Sequence, residues 1–183
     1  MGKSTCADLL RQRCFHVIDT DDLARDLVQP GQPALAEIAR AFGPAVLDEG
    51  GRLRRGALAD LVFNDSEARR RLEAILHPRI TEAWSVQLAD WRGEGVAWAV
   101  VVIPLLFETA VETRFDVTVC VACTTSTQQF RLSQRGWSPE EMARRSAAQL
   151  PVEQKMARAD HVIWTEGSIE AHAEQAWRVF GSG

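Results

Sequence analysis

The sequence predicts an α/β fold of three layers, a mainly parallel sheet between two layers of helices. Short apolar runs alternate with stretches of helical periodicity, the pattern that βα repetition leaves in a chain. The run Val96–Ile103 is apolar throughout, as a strand covered on both faces requires. A long strand-free helical stretch then interrupts the alternation, which reads as an insertion between two strands. With 183 residues, 46% hydrophobic and 25% charged, the chain holds enough apolar material for one substantial core, and disorder is excluded.

Taken in order, the first helix spans Ser4 to Arg13 and leads into a short strand, Phe15–Ile18. From Ala34 to Arg92 the pattern is helical, punctuated at Gln29-Pro30-Gly31, Gly43-Pro44, Gly50-Gly51 and His77-Pro78. His77 is expected at a helix junction, because the residue before proline is pushed out of the helical region. After the apolar strand ending at Ile103, Asp116–Ala122 supplies another. Ser138-Pro139-Glu140-Glu141 combines an N-cap serine, proline at the first helical position and a glutamate three residues on, so a helix is expected from Pro139 to about Gln149. His161–Trp164 is a last strand, and Ile169–Phe180 a closing helix. The domain plan is one domain: a core of 1–29 and 94–183, a helical insertion at 30–93, and a helical lid at 134–158 within the core.

A formal net charge of -4 provides no global positive field for a polyanion, so nucleic acid is not an expected partner. No apolar run approaches the roughly 20 residues that cross a bilayer, and no export signal opens the chain, so a cytoplasmic protein without membrane attachment is expected. Cys120-x-x-Cys123 closes an apolar run with no second Cys or His pair nearby, and is expected to be buried and inert. Of the 21 basic residues only Lys3 and Lys155 are lysines. A lysine in so arginine-biased a chain suits a position needing a compact point charge.

Gly2-Lys3-Ser4-Thr5 at a helix start is the second half of the phosphate-binding loop G-x-x-x-x-G-K-[ST]. In such a loop the backbone amides of a helix N-terminus face an anion, the lysine, here Lys3, would bridge the β- and γ-phosphates, and the hydroxyl after it, here Ser4, would take Mg²⁺; four residues alone read equally as an ordinary helix start. The first strand of the chain ends in Asp19-Thr20-Asp21-Asp22, where ligands collect in open α/β sheets. An acid there either faces bound phosphates or caps a helix, and one of the three is expected to do only the latter.

These residues, followed in order by Val28-Gln29-Pro30-Gly31, Leu76-His77-Pro78, Pro104-Leu105-Leu106-Phe107-Glu108, Gln134-Arg135 and Ala147-Ala148-Gln149, resemble dephospho-coenzyme A kinases over nearly the whole chain. The resemblance implies a P-loop NTPase fold and transfer of the ATP γ-phosphate to the ribose 3′-hydroxyl of dephospho-CoA, with Mg²⁺ accompanying ATP. It implies catalytic roles for Asp21 and Lys3, and ATP binding by Gly2, Lys3, Ser4, Thr5, Arg131 and Arg135, with Arg145 a further lid candidate. Asp21, Arg25, His77 and Leu105 would meet the acceptor, and Ser4 the metal. An unperturbed aspartate, with a pKa near 3.9, is a poor base for an alcohol at neutral pH, so Asp21 is expected to align the hydroxyl and receive its proton late.

Two departures from the family pattern carry expectations. The motif's first glycine and the strand feeding it would fall upstream of Met1, so the first central strand is expected to be missing, with loss of stability and activity. Trp164-Thr165-Glu166-Gly167 stands where the family has Asp-Asn before glycine, in a loop on the adenine side. Another P-loop small-molecule kinase, or a catalytically inactive acceptor-binding protein, are the alternative readings.

Overall fold

The computed structural model describes residues 2–147 and 149–181. Helices α1 (Lys3–Gln12), α2 (Thr20–Asp26), α3 (Pro33–Phe42), α4 (Arg55–Asn64) and α5 (Ser66–Gly93) occupy the first half, with strand β1 (His16–Asp19) after α1. Strands β2 (Ala99–Val102) and β3 (Val119–Ala122), helices α6 (Thr125–Ser133), α7 (Pro139–Ala147) and α8 (Val152–Arg158), strand β4 (His161–Trp164) and helix α9 (Ile169–Phe180) complete the order. The chain divides into two compact units, one of Met1–Val17 with Val102–Gly183 and the other of Ile18–Val101. The second is wider than the insertion expected at 30–93, because α2 packs on α5 and stays with the helices.

That helical unit is built around Val28, Ala34, Leu35, Ile38, Val46, Leu58 and Ile75. Its longest element departs from expectation: α5 runs through Pro78 as one 28-residue helix, and His77 lies inside it rather than at a junction. An internal proline costs about 3 kcal/mol. Burial of Ile75 and Trp84 on either side of Pro78 returns roughly 1.5–3 kcal/mol for each side chain and outweighs the break. Arg79 ties the same turn down, donating to the Ile75 carbonyl at 2.6 Å and to Glu37 Oε2 on α3 at 2.5 Å. The start of α5 is secured by Asp65, whose side chain accepts from the amides of Glu67 and Ala68.

In the other unit β3 and β4 pair in parallel, with Val119 opposite His161 and Ala122 opposite Trp164. The pair is locked where it begins: Asp160 Oδ2 accepts from both the amide and the hydroxyl of Thr118, each at 2.7 Å. Those bonds hold the Asp160 carboxyl below its ordinary range. Gln175 of α9 bonds both the N–H and the C=O of Trp164, satisfying backbone groups on β4. Cys6, Cys120 and Cys123 are buried free thiols, and desolvation pushes Cys6 up to about 11. The C-x-x-C is thus core packing, as expected, and no cluster of three or more metal-ligating side chains occurs among the described residues.

Among the described residues the strands form two two-stranded sheets, β1 with β2 and β3 with β4, and no strand hydrogen-bonds to both pairs. Each strand is also only four residues long, shorter than the apolar runs that predicted them at Val96–Ile103 and Asp116–Ala122. No helix is long and apolar enough to cross a membrane among the described residues.

Candidate active site

Helix α1 opens at Gly2, which adopts the left-handed conformation (φ 88°, ψ 9°). Its first ladder bond runs from the Cys6 amide to the Gly2 carbonyl at 2.9 Å, so the preceding amides lie outside the helical ladder. No side chain caps this end and no acid stands in its first turn, whereas α2, α5, α6 and α9 each have an oxygen-bearing side chain as cap. Gly2 to Thr5 form this first turn, at the positive end of the α1 dipole. Ser4 is exposed in this first turn, and Lys3 and Thr5 are half-buried.

Gly2 is held against Thr165, just beyond β4. A methyl group at Gly2 would lie 3.1 Å from both Cγ2 and Oγ1 of Thr165, so only glycine fits both the space and the backbone angle. Thr165 also fixes Arg131 of α6: Nη1 donates to its Oγ1 at 2.9 Å and Nη2 to its carbonyl at 2.6 Å. These bonds use two of the five guanidinium N–H groups. Buried His172 of α9 lies close enough to feel the Arg131 charge. Desolvation first, and Arg131 second, hold its pKa below the ordinary imidazole value. Next to Thr165, the Glu166 carboxylate accepts from the amide of Thr124 at 2.8 Å and from its hydroxyl, joining this loop to the cap of α6.

The remaining expected residues of this unit are more dispersed. Arg135 is exposed in the turn that closes α6. Leu105 is half-buried in the turns after β2, and its carbonyl accepts from the Thr109 amide and hydroxyl at 3.0 and 2.8 Å. The side chain of Arg145 lies outside the described residues. Glu108 is paired within the fold. Its Oε1 meets buried Lys155 Nζ at 2.7 Å and accepts from the Leu150 amide at 2.9 Å. Burial alone would raise the Glu108 carboxyl, but the ammonium and the amide outweigh it and hold it below its ordinary range. The two lysines also share an electrostatic target: desolvation raises the buried Cys120 thiol, while Lys155 and Lys3 both oppose that rise.

Within the helical unit the three acids at the junction of β1 and α2 take three roles. Asp19 caps α2, its Oδ1 accepting from the Asp21 amide at 2.9 Å. Asp22 pairs with Arg25 at 2.5 Å on the exposed face. Asp21 lines a cleft of about 280 Å³, together with Arg25 and Arg55 and an apolar wall that includes Val28, Ile38 and Leu58. Val28, Ile38 and Leu58 also belong to the unit's core, so the cleft floor is rigid. Leu76 lines the cleft, while its neighbour His77 is half-buried on α5.

The sequence pattern of dephospho-CoA kinase matches residues 1–171 of this chain. The chain belongs to the dephospho-CoA kinase family. A curated dephospho-CoA kinase from Anaeromyxobacter dehalogenans is 48% identical over 97% of this chain and 85% of its own length. One from Syntrophotalea carbinolica is 42% identical over 95% and 83%. Among solved structures, a Thermus thermophilus protein superposes with a TM-score of 0.83 at 36% identity, covering 98% of this chain and 90% of that one. The dephospho-CoA kinase from Campylobacter jejuni gives 0.72 at 26% identity with the same coverage. The P-loop kinase fold expected from the sequence is that of the family.

Two residues of the site escaped the sequence reading. Thr165 was visible only as a departure from the family pattern, and its partner Arg131 stands 34 positions away. Arg55 carried one local signal, an arginine at the first position of an uncapped helix.

Proposed function

We propose that this chain transfers the γ-phosphoryl group of ATP to the ribose 3′-hydroxyl of dephospho-CoA, giving CoA and ADP. The observation that carries the reading is the start of α1: Gly2 in the left-handed conformation, the amides ahead of Cys6, and Arg131 fixed beside Gly2 through Thr165. Such an arrangement supplies what phosphoryl transfer needs from a protein, positioning and charge neutralisation.

In this reading the α1 amides and Lys3 hold the β- and γ-phosphates, and Arg131 directs its three remaining donors to phosphate oxygens. Arg135 adds a second cation from the turn after α6. The residues present fit Mg²⁺: an exposed hydroxyl at Ser4 beside bound phosphates suits an ion that keeps waters and takes few protein ligands, and no dedicated cage is needed. When bound there, Mg²⁺ neutralises charge on the phosphate oxygens. The helical unit takes the acceptor. Asp21 orients the 3′-hydroxyl and receives its proton late, with Arg25, His77 and Leu105 as acceptor contacts.

A coupled ADP-release assay over a panel of alcohols tests the proposal, with mass and phosphorus resonance analysis of the product. The expected result is turnover with dephospho-CoA far above adenosine, pantetheine or sugars, and a product carrying a 3′-phosphate. Preference for an unrelated alcohol, or nucleotide hydrolysis without transfer, would overturn it.

A further inference from the structure

The cleft in the helical unit holds one cation that no expectation assigned. Arg55 lines it together with Val28, Ile38 and Leu58, and shares it with Asp21 and Arg25. The two guanidinium groups are not equivalent. Arg25 is held by Asp22 at 2.5 Å, whereas Arg55 makes no hydrogen bond or ion pair among the described residues and is exposed. Its neighbour Arg54, which does not line the cleft, donates to the Ala45 carbonyl at 3.4 Å. Arg55 is also the first residue of α4, whose first turn carries no acid to balance it. A cation there opposes the helix dipole. The natural complement of an unpaired guanidinium lining a cleft is an anion.

The polar and apolar halves of the cleft together describe the ligand. One wall suits an apolar or flat group, the carboxylate suits a hydroxyl, and a planar fork of donors suits paired phosphate oxygens. We infer that Arg55 is a specificity-determining residue that binds the diphosphate of the acceptor while Asp21 meets its ribose hydroxyl, an inference that rests on the kinase reading for the identity of the acceptor. The cleft thereby selects a nucleoside diphosphate derivative over the bare nucleoside.

Calorimetric titration of the full chain with dephospho-CoA, adenosine and Mg-ATP tests this without requiring turnover. Wild-type protein is expected to bind dephospho-CoA at least tenfold more tightly than adenosine. Arg55→Gln is expected to weaken dephospho-CoA by about 10- to 100-fold, the scale of a lost charge-assisted contact. Adenosine should change by less than twofold and Mg-ATP not at all. Arg54→Gln, which removes the adjacent charge, should leave the discrimination intact, and Arg55→Lys should recover only part of it. Equal weakening of adenosine and dephospho-CoA would mean a packing role and overturn the inference. So would an unchanged dephospho-CoA affinity, or an equal loss in Arg54→Gln. If the discrimination holds while no phosphoryl transfer occurs in the coupled assay, the kinase reading fails and the diphosphate site stands.

Discussion

Replacing Lys155 with methionine removes the ammonium from a buried pair while keeping much of the side-chain volume. Lys155 and Glu108 retain only 7% and 16% of their side-chain exposure, and Glu108 Oε2 is already buried without a hydrogen-bond partner among the described residues. The variant leaves a carboxylate with backbone amides as its only donors, that of Leu150 at 2.9 Å. Breaking one side of such a pair costs about 3–5 kcal/mol. The residual exposure of Glu108 places this case near the lower end, about 3 kcal/mol. For a protein of this size that is a fall of about 6–12 °C in melting temperature, or a clear shift in urea midpoint. The dependence on pH separates the pair from simple packing. The folded carboxyl of Glu108 lies below its ordinary value, so its contribution is present above the carboxylate range and is lost as pH falls through the folded pKa. The gap between wild type and Lys155→Met should therefore be widest near neutrality and narrow below about pH 4. The double variant Glu108→Leu with Lys155→Met should recover much of the loss. A deficit under about 1 kcal/mol at pH 7, or one that does not change with pH, would refute the reasoning.

Three further outcomes are expected. Asp21→Asn should lower kcat by about 10²–10⁴-fold while Mg-ATP affinity holds; equal loss of both would remove Asp21 from the acceptor role. Thr165→Val keeps the shape and the carbonyl acceptor but deletes the hydroxyl that accepts from Arg131. It should weaken Mg-ATP by about 1.5–3 kcal/mol, with Thr165→Ser restoring most of it, and isothermal titration of the two variants checks this. Gly2→Ala should cost at least about 1–2 kcal/mol in chemical denaturation from its left-handed backbone alone, with the contact to Thr165 added; a neutral result would show that the loop is not held as described.

Much of this arrangement was legible in the chain because its signals are local. The capping sequence at Ser138 is realised, the Ser138 hydroxyl accepting from the Glu141 amide at 3.2 Å ahead of α7. The strand at His161–Trp164 and the helix Ile169–Phe180 lie where alternation and periodicity put them. The Gly-Lys-Ser-Thr start of α1 likewise follows from residue type and spacing. What was not legible depends on partners distant in sequence. Pro78 is a strong local breaker, overridden by burial of Ile75 and Trp84. Which of Asp19, Asp21 and Asp22 is the cap cannot be read from three neighbouring acids; the bond from the Asp21 amide decides it. Glu108 and Lys155 stand 47 positions apart, and only the folded chain shows the lone buried lysine of α8 answering that carboxylate. Arg55 lines the cleft only once α4 is folded against it.

The most direct test is a backbone amide spectrum of the isotope-labelled chain on addition of Mg-ATP. The amides of Lys3, Ser4 and Thr5 are expected to move most, together with the Arg131 side chain, and Lys3→Met should abolish those shifts. Perturbations confined to other residues, with the start of α1 unmoved at saturating nucleotide, would contradict the placement of the triphosphate on which the proposed function depends.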